Sequence, residues 1–130
     1  MALKVELKPD ERIILGQSVV TNVGHRTTLL IEGDAPILRN KDILRPQDAD
    51  TPAKCIYLAV QVMYLAGGPA GQEDMLIKLL RDLREAAPST SPAIDRITNL
   101  LLTSSYYKAL REIQALIAYE GELLESAKRS

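Results

Sequence analysis

Phenylalanine and tryptophan are absent from this 130-residue chain, and its five tyrosines all fall between Tyr57 and Tyr119. Proteins that read single-stranded nucleic acid without sequence preference usually stack bases on aromatic rings, so no such platform is expected in the first third of the sequence. There is one cysteine, Cys55, which excludes an internal disulfide. The single histidine, His25, lies some thirty residues away in a turn-like segment, so a Cys–His nucleophilic pair is not expected. Cys55 sits in an apolar run and reads as a small, buried, inert hydrophobe. The chain has little net charge, −1 at neutral pH. Wholesale coating of nucleic acid needs a large basic excess, whereas a local basic patch does not. No apolar run approaches the ~20 residues of a membrane helix. The opening "MALKVELKPDE" mixes charge with apolar residues and has no secretory core. The expected compartment is the cytoplasm, with no membrane partner.

The parts list for catalysis is missing as well. There is no cysteine/histidine cluster at metal-ligand spacing, no phosphate-cradling glycine loop and no nucleophile elbow. The expectation is therefore no enzyme, no metal and no cofactor.

What is present changes character near Asp50. "LKVELK" alternates Leu3, Val5 and Leu7 with Lys4, Glu6 and Lys8, a period of two. Pro9-Asp10 turns the chain, "RIILG" follows, and "SVVTN", "RTTLLIE" and "PILR" continue the series between tight turns. Beyond Asp50 the period is helical. Thr51-Pro52 supplies a capping hydroxyl and a first-turn proline, and Gly67-Gly68 stops the first helix. Further helices are expected over about 71–87, from Ser91-Pro92 onward after a "PSTSP" loop, and over about 106–127. In the last of these, Tyr106, Leu110, Ile113, Ile117 and Leu124 are spaced for burial. The fold class is α+β: a small N-terminal antiparallel β subdomain, residues 1–50, followed by a four-helix C-terminal subdomain, residues 51–130.

Cations collect around the predicted strands at Arg26, Arg39, Lys41 and Arg45. "PILRNKDIL" sets Arg39, Asn40, Lys41 and Asp42 between two apolar pairs. From the residues alone, ordinary solvated charge is the better reading, because exposed Lys and Arg are the norm.

Four stretches alter that balance. "LKPDERIILG", "ILRNKDIL", "TPAKCIYLAVQVMYL" and "YYKALREIQALIAYE" together resemble, in order and over nearly the whole chain, the flagellum biosynthesis repressor family FlbT of alphaproteobacteria. The resemblance implies a regulator that acts after transcription. It would associate with the 5′ untranslated leader of flagellin messenger RNA, reduce its translation or lifetime, and work in opposition to a second small protein, FlaF. "LKPDERIILG" also resembles, more weakly, the opening of the carbon-storage-regulator (CsrA-type) RNA-binding β fold. On this reading the β subdomain carries the RNA contacts: Arg39, Lys41 and Arg45 on phosphates, Arg26 on the neighbouring strand, and Asn40 on a base edge or holding the turn. The alternative is a protein-binding adaptor that grips FlaF or flagellin through the helical half and affects RNA only indirectly. A homo-oligomer, a dimer, is expected because small β subdomains leave open sheet edges.

Overall fold

The alternation in "LKVELK" becomes a strand because it gives one apolar and one polar face to a pleated ribbon. In the computed structural model, which describes residues 2–129, this is β1, Ala2–Leu7. The chain divides into two compact units, Met1–Ile43 and Leu44–Ser130.

In the first unit, β1 pairs antiparallel with β4, Thr27–Glu32, in a register that runs from Ala2 opposite Glu32 to Leu7 opposite Thr27. A second sheet places β2, Arg12–Leu15, between β3, Ser18–Thr21, and β5, Ile37–Arg39. Gly16, at φ 61°, opens the two-residue turn between β2 and β3, a backbone region that a Cβ disfavours. The two sheets share a small core: Val5, Leu7 and Ile13 are buried, with Leu3, Leu15, Val20, Leu29, Ile31 and Ile37 packed around them. Asn22 ties the turns together. Its side-chain amide donates to the Leu7 and His25 carbonyls at 2.9 and 2.8 Å, and its carbonyl accepts from Gly24 N–H at 3.0 Å.

In the second unit, α1, Pro52–Ala66, is capped by Thr51, whose hydroxyl accepts from Lys54 N–H at 3.3 Å. Gly67 ends it in the left-handed conformation, φ 75°. α2 spans Glu73–Ala86, α3 Ser91–Leu102 and α4 Tyr106–Arg129. α4 packs along α1 and α3, and α2 against α1. The core comprises Ile56, Val60, Leu80, Ile94, Ile97, Leu110, Ile113 and Leu116 with their neighbours.

Four expectations are corrected. Leu124 is 49% exposed, because the buried face of α4 runs through Leu116 to Glu120 and ends there. Cys55 is half-buried instead of buried, since its side of α1 opens onto a shallow apolar pocket bordered by Leu79, Leu83 and Ala86. "PSTSP" is not an open loop: Pro88–Thr90 is a 3₁₀ turn leading into α3, and Thr90 is buried with its hydroxyl donating to the Ala87 carbonyl at 2.6 Å. Asp42, grouped above with exposed charges, is buried.

Candidate nucleic-acid interface

The candidate site starts from the end of β5. Extended pairing with β2 stops at Arg39, opposite Ile13, and the chain tightens into a 3₁₀ turn, Asn40–Asp42. What holds this turn is a side chain: Asn40 Oδ1 accepts the Arg12 backbone N–H at 2.9 Å. Within this unit Asn40 is thus a structural acceptor, and its amide nitrogen is left for a further partner. Next to the turn is a depression of about 270 Å³ walled by Val5, Glu6, Leu7, Glu11, Arg39, Asn40 and Lys41. Arg39 shares its sheet face with Ile13, so it stands at the rim of the β core.

Arg39 and Lys41 are exposed, and neither is ion-paired with another described residue. Glu6, by contrast, is engaged by Arg26 at 3.1 Å, and Glu11 Oε1 accepts the Lys8 N–H at 2.8 Å. The depression therefore combines two unpaired cations, Asn40 and two carboxylates that already have partners around the nearly buried Val5 and Leu7. Such a site can take an anionic group at its rim through the two cations.

Of the five residues singled out in sequence, four lie in this unit. Arg39, Asn40 and Lys41 line the depression, and Arg26 is joined to it through Glu6. Arg45 belongs to the other unit and pairs with Asp48 at 2.8 Å, which holds its pKa above the ordinary guanidinium value through that hydrogen bond and charge. The sequence reading missed three participants. Glu6 and Glu11 come from β1 and the turn after it, and Arg12 is brought to the 39–41 turn by its own backbone. Arg12, in "DERIILG", carried the one available signal, a cation directly before an apolar strand. A further miss lies in the second unit. Gln61, the lone uncharged polar residue inside α1, is buried and grips Leu44 twice: its Nε2 donates to the Leu44 carbonyl at 3.0 Å, and its Oε1 accepts the Leu44 N–H at 2.9 Å.

Among the described residues, no group of three or more His, Cys, Asp or Glu is placed to hold a metal ion. Among them too, no helix is long and apolar enough to cross a membrane.

Comparison with known proteins follows the same chain almost end to end. The sequence model of a family described as "Flagellar protein FlbT" matches residues 3–124. A protein of Bradyrhizobium diazoefficiens named "Probable flagellum biosynthesis repressor protein FlbT 1" is 52% identical over 124 residues, covering 95% of this chain and 85% of its own length. One from Rhodopseudomonas palustris, "Probable flagellum biosynthesis repressor protein FlbT", is also 52% identical, with 95% and 98% covered. The "Flagellum biosynthesis repressor protein FlbT" of Caulobacter vibrioides is 35% identical over 127 residues, with 95% and 90% covered. No solved structure matches.

Proposed function

The chain belongs to the FlbT family of flagellar proteins, and we propose that it represses flagellum biosynthesis after transcription. It associates with the 5′ untranslated leader of flagellin messenger RNA and reduces that message's translation or lifetime. The relatives' names supply the repressor role. The observation that carries the RNA contact is the unpaired state of Arg39 and Lys41 at the rim of the depression beside the 39–41 turn. Cations already neutralised by carboxylates release few counterions on binding, whereas free ones contribute directly to affinity. Arg26 adds charge beside Glu6, and Asn40 offers its amide nitrogen to a base edge. Arg45 acts from its own unit as a paired, weaker contact. RNA of this kind is read at loops and single strands, where phosphates and base edges are both within reach.

The test is the affinity of purified protein for a flagellin leader, followed by gel shift across a salt series. Changing Arg39 and Lys41 together to Ala should leave the fold intact, weaken binding and lower the salt slope by about 1.4, at ~0.7 per phosphate on a single strand. An unchanged affinity and slope would overturn the reading. A second reading is favoured by the two carboxylates in the depression and by the apolar residues Met75, Ile77 and Leu102 exposed on the helical unit. In it the protein is an adaptor that acts through FlaF or flagellin. Intact leader binding by purified protein excludes that version.

A further inference from the structure

The outer edge of β4 has no strand beside it among the described residues, because β1 occupies its other side and the sheet ends there. An open edge presents a row of unpaired N–H and C=O groups, which natural proteins blunt with lysine, proline or a bulge. β4 reads Thr27-Thr28-Leu29-Leu30-Ile31-Glu32 and carries none of these, with its one charge at the end. Exposure follows suit. Val5 and Leu7 on β1 are 4% and 3% exposed, whereas Leu29 and Ile31, on the same inner face, are only half-buried. On the outer face Leu30 is 59% exposed.

We infer that the chain self-associates through this edge, with β4 pairing antiparallel to β4 of a second copy about a two-fold axis at Leu29. The register follows from faces and charges. A symmetric pair that keeps both inner faces on one side must oppose odd positions to odd and even to even. Centring on Leu29 sets Thr28 opposite Leu30 of the partner subunit, Thr27 opposite Ile31 of the partner subunit, and Arg26 opposite Glu32 of the partner subunit. Centring one residue earlier puts Arg26 against Leu30 of the partner subunit. Centring one later puts Glu32 against Thr28 of the partner subunit. Only the first register joins opposite charges at both ends of the strand. Glu32 has no ion pair with a described residue, and Arg26 already meets Glu6 at 3.1 Å on the outer face, so it would lie between two carboxylates. The product is a four-stranded sheet with one continuous inner apolar face. This surface shares Arg26 with the RNA reading, whereas Arg39, Asn40 and Lys41 stand outside it.

Sedimentation velocity of the full chain over about 1–100 µM should show a reversible dimer. Leu30→Lys should raise the dissociation constant about tenfold or more, and Glu32→Arg should do the same by facing Arg26. Arg26→Glu combined with Glu32→Arg, in a chain that also carries Glu6→Gln to remove the carboxylate beside position 26, should recover the dimer. Both single changes are at exposed positions, and circular dichroism checks that the fold is kept. A monomer throughout, or a dimer that neither single change weakens, overturns the inference. Failure of the combined variant to recover, where Glu6→Gln alone still dimerises, overturns the register.

Discussion

The two units spend their residues differently. Among the described residues, four hydrophobic side chains of Met1–Ile43 are buried, against fifteen in Leu44–Ser130, so most of the apolar burial that opposes chain entropy lies in the helical unit. Charges divide in the opposite sense. In the helical unit most cations stand beside carboxylates: Arg45 with Asp48, Lys54 with Asp50, Arg84 with Asp95, Arg96 with Glu112. In the β unit, among the described residues, Arg26 has such a partner in Glu6, and Arg39 and Lys41 stand without one, as do Lys4, Lys8 and Arg12. The lesson is a division of labour. One unit has the larger core and mostly settled charges, and the other keeps a thin core with most of its cations and a strand edge unspent. Units this small generally need outside support.

The largest effect that can break this contrast is in the helical core. Ile113 is fully buried on α4. Ile113→Ala should cost about 3 kcal/mol, the removed methylenes plus the cavity they leave. Urea unfolding followed at 222 nm measures it. A cost below ~1 kcal/mol would mean that this core is loosely packed and the contrast is false.

The next effect is polar. Glu120 is 6% exposed, and its Oε2 accepts the Ala53 N–H at 2.8 Å. Ala53 is in the first turn of α1, where backbone donors lack intrahelical partners, so α4 caps α1 across the bundle. Glu120→Ala should cost about 2 kcal/mol, because it strands a buried donor and removes a negative group from a helix N-terminus. Glu120→Gln keeps an acceptor and should cost about half as much. Equal losses from the two would show that the charge, and not the hydrogen bond, is what matters.

These positions also mark where sequence reading stopped. The alternation of Leu3, Val5 and Leu7 predicted a strand because a pleat forces period two, and Thr51-Pro52 and Gly67 marked helix ends because backbone chemistry there is local. Tertiary polar contacts leave no such trace. Glu120 looks like any surface glutamate until α1 is laid beside it. Gln61 looks like an interruption until Leu44 supplies a backbone to grip. Leu124 fits the apolar spacing of α4 yet stands where no neighbour covers it. The cations of the candidate site were visible in "LRNK", whereas Glu6, Glu11 and Arg12 join them through strand pairing and a side-chain hydrogen bond across 28 residues.

The smallest effect concerns a settled charge. Lys54 Nζ lies 3.1 Å from Asp50 Oδ1, one turn apart at the start of α1. The hydrogen bond from Lys54, and then its charge, hold the Asp50 carboxyl below its ordinary value of 3.8. Because the folded pKa is the lower one, the pair's contribution is present above the ordinary carboxylate pKa and is lost as pH falls through the lowered value. Both groups are in water, so the contribution to stability is slight and salt screens it. The titration itself is the sharper readout. Lys54→Met should raise the Asp50 pKa toward 3.8, followed by carboxyl-carbon NMR, and should leave the midpoint of neutral-pH unfolding nearly unchanged. An Asp50 pKa that does not move would show that its carboxylate is held by the backbone, and would remove this pair from the charges that distinguish the helical unit from the open cations at Arg39 and Lys41.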